Sequence, residues 1–367
     1  MLRSKARRRA TPLLLAISLT TAILACLYPG SASAAPKARS AKDARKAVPV
    51  YCHLGGAKLW ENLAACGWPN SANTGPELAK CPNGRLTQRG NGTTPIVLST
   101  ANEVVNCTDL RGPVEITATG VTIKNSMVTV TNGSGVSGSA AVTIEIGASA
   151  VINHVAIDGG NSVHACLWHE GTQLQVAAVN CHRVNDSIFA WATTNPASGG
   201  NNYTITGSYF HDFTQATANG HDDGFQTEGS SHGLITHNTF RMTLNSTSAI
   251  SVWDSRTDSN DITVSDNLIA GGGFAVYAED YNPGDGAPGH PSPVGGFSVT
   301  NIQFDDNSFS AILSGCVGKY GVWFTRPSWE PYHGGPTDGW HRIGNTVLET
   351  GENVDNGNPH SNGKLCG

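Results

Sequence analysis

Ile235-Thr-His-Asn-Thr-Phe240 and Val264-Ser-Asp-Asn-Leu-Ile269 are two copies of one short pattern. An apolar residue is followed by Asn, Gly or His, and then by a second apolar residue. Further copies are Ile123-Lys-Asn-Ser-Met-Val128, Ile152-Asn-His-Val-Ala-Ile157, Val176-Ala-Ala-Val-Asn-Cys181, Ile205-Thr-Gly-Ser-Tyr-Phe210 and Phe304-Asp-Asp-Asn-Ser-Phe309. Their first positions are 29, 24, 29, 30, 29 and 40 residues apart. A recurrence of that length marks stacked repeats. Residues one period apart then lie above one another, roughly 4.8 Å apart where strands pair.

A second strand precedes each copy. These strands begin at Val142, Cys166, Ile188, Phe225, Ile250 and Val276. Alternation sorts their side chains between two faces. Leu167, Ile188, Ala190, Phe225, Ile250, Val252 and Val276 turn inward. Trp168, Glu170, Phe189, Trp191, Gln226, Glu228, Ser251, Trp253, Tyr277 and Glu279 turn outward. Turn residues such as Asp158-Gly-Gly160 and Gly271-Gly-Gly273 separate the strands, and hairpin signals are missing. Helical periodicity is confined to a short stretch around Ala57 to Ala65. The pattern describes an all-β chain forming one parallel β-helix; a β-sandwich would space its strands more closely.

The domain plan follows from where the repeat is strong. Residues 108–313 form the solenoid, 51–107 an N-terminal cap with four Cys, and 314–367 a C-terminal cap. Residues 1–34 read as a signal peptide of bacterial form: Arg and Lys, then an apolar run from Leu13 to Leu27, then Ala32-Ser-Ala34. The run is too short for a stable membrane span. Ile23-Leu-Ala-Cys26 leaves a lipid anchor on Cys26 open as a second reading. Residues 35–50 are a flexible leader.

Of 23 Lys and Arg, ten precede residue 47, against one of the 28 acids. The body therefore holds 13 basic and 27 acidic residues, a formal net charge of −14. That argues against a nucleic-acid partner. It also argues against a polyanionic polymer unless a cation such as Ca²⁺ lies between. Eight Cys remain after Cys26, which in an exported chain indicates four disulfides. Neighbours in sequence are expected to pair, including Cys166–Cys181 and Cys316–Cys366. The protein reads as a secreted monomer.

Two groups of residues carry candidate chemistry. The outward Trp168, Trp191, Trp253 and Tyr277, with Gln226, Glu279 and the nearby Arg256, resemble the floor of a sugar groove: flat rings stack on sugar faces and polar groups bond hydroxyls. The second group aligns Asn185-Asp186-Ser-Ile188 with His221-Asp222-Asp223-Gly-Phe225 when Ile188 is set over Phe225. Asp186, Asp222, Asp223 and His221 then converge, and like charges that close raise at least one proton affinity, as a general acid requires. Taken singly, each Asp also suits a turn. Glu228 adds a further catalytic candidate, two rungs or about 9.6 Å from Glu279, near the inverting separation of roughly 6.5–9.5 Å.

On these residues the chain resembles the pectin-lyase-like superfamily of secreted right-handed parallel β-helices, over residues 95–315. That family holds polysaccharide lyases, glycoside hydrolases, epimerases and non-enzymatic members. Asn185-Asp186 followed by Asp222-Asp223 is similar to the carboxylate trio of polygalacturonase-type inverting hydrolases. The resemblance implies that one Asp is the acid and the others activate water. It does not extend to the Gly-His-Gly and Arg-Ile-Lys segments of those hydrolases, so a basic subsite for galacturonate is not implied.

Three functions follow as expectations. The first is cleavage of a neutral or weakly charged polysaccharide by carboxylate acid/base hydrolysis, without a cofactor. The second is a Ca²⁺-assisted lyase using Asp254, Glu279 and Asp280 as ligands and Arg256 as the base. The third is a non-catalytic glycan-binding or surface β-helix.

Overall fold

The computed structural model describes residues 49–92, 94–131, 139–191, 199–214, 221–279, 299–313, 315, 317–326 and 340–357, without the side chains of residues 279, 325 and 326. Among these residues the chain is mostly β, in one sheet of nine strands and one of eighteen. The chain alternates between them. Asp186–Ala190 of the smaller sheet is followed by Tyr203–Thr206 and Tyr209–His211 of the larger. Asp223–Thr227, Ser231–Thr236 and Thr239–Arg241 repeat the sequence, and Ser248–Trp253 begins the next round. Successive rounds pair in parallel, an arrangement consistent with the expected solenoid. Ile188 lies opposite Phe225, Phe225 opposite Ile250, and Ile250 opposite Val276, the register the repeat predicts.

The repeat works through two positions. Its apolar ends fill the core: Phe210 and Phe240 stack at 4.8 Å and are fully buried. Between them one residue adopts positive φ, as His237 (55°), Asp266 (50°) and Asp306 (53°) do. Short polar residues tolerate that region best, which is why the pattern carries Asn, Asp, Gly and His there. The residue after this turn points inward. In the later rounds it is Asn238, Asn267, Asn307 and Asn345, all nearly or fully buried. Asn267 Oδ1 accepts 3.0 Å bonds from the backbone N–H and Nδ2 of Asn238. Asn307 accepts from Asn267 in the same way, at 3.2 and 3.0 Å. Each Asn Nδ2 also caps a strand carbonyl, as Asn267 does for Ile235 at 2.9 Å. The polar turn thus enters the core with its hydrogen bonds made, as buried polar groups require.

Three disulfides join Cys neighbours in sequence: Cys52–Cys66, Cys81–Cys107 and Cys166–Cys181. Cys316 and Cys366 lie outside the described residues. Cys166 is on a strand of the smaller sheet and Cys181 on one of the larger, and both are fully buried. This bridge ties the two sheets across the core within one round. It closes a sequence separation of 15 residues, for which chain entropy gives about 3 kcal/mol. The Cys166→Ala/Cys181→Ala variant is expected to lose about that much, read as a lower urea midpoint. An unchanged midpoint would show that the bridge only follows packing already complete without it.

Residues 56–81, expected within an end cap, run along the flank of the larger sheet instead. Gly56 N–H donates to Glu349 at 3.0 Å and Trp60 Nε1 to Ser310 at 2.9 Å. Trp68 stacks on His237 at 5.4 Å, Gly75 N–H reaches the Ala178 carbonyl at 2.8 Å, and Glu77 meets His154 at 3.4 Å. As the segment advances, its partners move back through the stack. The expected short helix is Gly56–Glu61, which places Leu59 in a buried cluster with Tyr209 and Leu268. The apolar surface of Leu59 and Leu63 needs a partner, and the flank supplies it through Tyr209 and Leu268. Among the described residues no helix is long and apolar enough to cross a membrane. The signal segment and the leader up to Val48 lie outside them.

Candidate active site

The smaller sheet carries its outward residues in columns. Trp168, Phe189, Gln226, Ser251, Tyr277 and Phe324 lie in register from round to round. The expected exposed floor is only half open, because large neighbouring rings cover each other. Phe189, Gln226, Ser251 and Trp253 are buried, while Trp168, Trp191, Glu170, Glu228 and Tyr277 are half-buried. Two aromatic groups result. In one, Phe189 lies 4.8 Å from both Trp168 and Trp191. In the other, Trp253 packs against His221 at 5.4 Å and Tyr277 at 5.8 Å, and Tyr277 stacks on Phe324 at 4.1 Å.

Glu228 and Arg256, expected as a catalytic carboxylate and a lyase base, are held by each other. Arg256 Nε lies 2.5 Å from Glu228 Oε2, and its guanidinium sits 3.5 Å over the Trp191 ring. The pairing and the stacking engage both the edge and the face of the guanidinium. Asp254 is fully buried; Asp280 and the Glu279 side chain lie outside the described residues. Among the described residues no group of three or more His, Cys, Asp and Glu is arranged to hold a metal ion.

The carboxylate cluster forms where the register brings it together. Both strands begin two residues earlier than the repeat suggests, at Asp186 and Asp223. These two Asp are therefore the first residues of strands, not corner residues, and both are fully buried; Ala165, opposite Asp186, packs with the outward Phe189, Trp168 and Trp191. Gly224 allows this close approach, since a Cβ there would lie 2.4 Å from the Ala249 carbonyl oxygen and 2.5 Å from the Phe240 ring. Asp186 Oδ1 accepts the Asp223 backbone N–H at 2.8 Å, and its Oδ2 lies 2.8 Å from His164 Nε2. Asp223 Oδ1 accepts the Ser248 hydroxyl at 2.5 Å, and Oδ2 is 4.0 Å from His221 Nδ1. Asp222, just before its strand, retains 7% exposure, and its Oδ1 is buried with no hydrogen-bond partner.

Burial governs the proton affinities here. Desolvation, reinforced by the Asp186 charge and opposed by His164, pushes Asp222 up to about 7. Desolvation and the Asp186 charge hold Asp223 well above the usual carboxylate range, despite its Ser248 bond. Asp186 is raised by burial, partly offset by His164. For His164 burial works against protonation, but the contacts with Asp186 and the charge of Asp222 outweigh it, so its affinity is raised.

His164 is the residue that sequence reasoning missed. Its signal was present: Ala165 pairs with Asp186, so the alignment extended one round back sets His164 beside the Asp pair. The ring lies 6.0 Å from Trp168 and 6.3 Å from Phe189, while His221 touches Trp253. One histidine thus connects the acid cluster to each aromatic group. Comparison of the chain with family models, with curated proteins and with solved structures returns no match.

Proposed function

We propose that this chain is a secreted, right-handed parallel β-helix enzyme of the pectin-lyase-like kind that hydrolyses glycosidic bonds of a neutral polysaccharide. The observation that carries this reading is Asp222. It is the carboxyl group of the trio that keeps exposure, its proton affinity is raised to about 7, and it lies in a cluster bordered by aromatic rings on two sides. A carboxylic acid still protonated near neutral pH can donate to a leaving oxygen. In the proposed step the Asp222 O–H protonates the glycosidic oxygen as the bond from the anomeric carbon to that oxygen breaks. Water forms the new bond to that carbon, and its proton passes to His221, whose side chain is 48% exposed. Asp186 and Asp223, sealed from water, support this pair. The aromatic groups suit sugar faces, and the body charge of −14 favours an uncharged chain.

The test is a panel of neutral and acidic polysaccharides incubated with the purified protein, with and without chelator. New reducing ends without near-ultraviolet absorbance, formed equally well in chelator, are expected. Unsaturated products would instead establish elimination, and absence of any product across the panel would overturn the hydrolase reading.

A further inference from the structure

His164 and Asp186 form a unit whose reach goes beyond their own contact. Asp186 is fully buried; its Oδ1 accepts the Asp223 N–H at 2.8 Å, and its Oδ2 lies 2.8 Å from His164 Nε2 in an ion-pair contact. That N–H belongs to the peptide joining Asp222 to Asp223. A carboxylate in such a place needs a compensating cation, and His164, with 14% side-chain exposure, supplies one. The Asp186 backbone N–H also donates to the His164 carbonyl at 2.8 Å, so the two residues are fastened at main chain and side chain. His164 in turn touches the Trp168 and Phe189 rings.

We propose that His164 and Asp186 are positioning residues: the pair grips the Asp222–Asp223 peptide and so aims the Asp222 carboxyl at the groove. The proposal rests on the hydrolase reading for its consequence but not for its geometry. Asp186 is not the group that activates water, because it is sealed from solvent, with Oδ1 bonded to the Asp223 N–H and Oδ2 against the His164 ring. The charged groups around the pair are Asp222 and Asp223 on the following round and His221 beside them. Ser248, on the round after that, bonds Asp223.

Two measurements test it. The first is an NMR pH titration of the His164 imidazole in the full chain. With Asp186 in place its midpoint lies above that of an ordinary histidine, and Asp186→Asn is expected to lower it, since burial is then opposed only by the Asp222 charge. An unmoved midpoint would overturn the pairing whatever the enzyme does. The second is steady-state kinetics on the polymer that the panel identifies. Gln reaches as far as Nε2 and keeps a donor to Asp186. His164→Gln is therefore expected to keep kcat within about fivefold, while His164→Ala and Asp186→Asn lower it about 10²-fold with KM nearly unchanged. If His164→Ala and Asp186→Asn both turn over like wild type while Asp222→Asn is inactive, the positioning role is wrong. If Asp222→Asn itself is fully active, the hydrolase reading fails, and the titration still decides the pair. If Asp186→Asn does not fold, the contrast between His164→Gln and His164→Ala carries the kinetic test.

Discussion

Asp222→Asn is expected to lower turnover by about 10²–10⁴-fold and, above pH 7, to melt at a higher temperature than the parent. The two effects have one origin. Asp222 is taken out of water beside Asp186, which raises its folded proton affinity to about 7, against about 3.9 in an unfolded chain. Between those values the folded state holds a proton that the unfolded state has released. Folding stability from this group is therefore fully present below about pH 4 and is lost as pH rises to about 7. Above pH 7 the native protein carries a buried charge it would do better without. Asn keeps the shape, cannot ionise and cannot donate as an acid. The variant's advantage is expected to be small at pH 5 and to grow to about 1–3 kcal/mol at pH 8, in calorimetric scans at both values. Asp223, also raised, adds a slope of the same sign to the parent protein. Full activity in the variant would remove Asp222 from the mechanism, and an advantage that does not widen with pH would show that its burial costs little.

Asn267→Ala is expected to destabilise the fold by about 3–5 kcal/mol. Asn267 is fully buried in the middle of the Asn column, and its side chain serves both adjacent rounds. Truncation leaves the Asn238 backbone N–H without its acceptor and takes the Asn267 Nδ2 bonds from Ile235, Ser265 and Asn307. Unmet polar groups in the core cost more than the bonds contribute when made. Asn301→Ala is the control. Asn301 sits at a turn with positive φ, and its side chain donates to Asp261 at the surface and accepts from Gln303, so a loss of about 1 kcal/mol is expected. Urea midpoints of the two variants compare them directly. Equal losses would mean that the buried column contributes no more than a side chain near the surface.

Much of this was legible in the chain. The repeat specified which residues stack, down to Ile188 over Phe225, because parallel pairing of successive rounds turns a sequence period into contact. It indicated the inward set, which is buried throughout. The Asn of the repeat was visible, but its ladder was not, since Asn in a turn reads equally as a residue bonding its own backbone. The flank position of residues 56–81 had no periodic signature to announce it. The Arg256–Glu228 pair depends on how the chain leaves Trp253, and no local pattern encodes that.

The amino-acid sequence by itself determined the stacking period, the core face and the meeting of Asp186, Asp222 and Asp223, all consequences of spacing. Only the tertiary structure decided which of these carboxyl groups meets water. Strand pairing begins at Asp186 and Asp223, two residues before the apolar alternation shows it. Contacts with His164 and Ser248 seal those two, whereas Asp222, just before its strand, keeps 7% exposure. Desolvation follows from that placement, and with it the proton affinity on which the proposed chemistry depends.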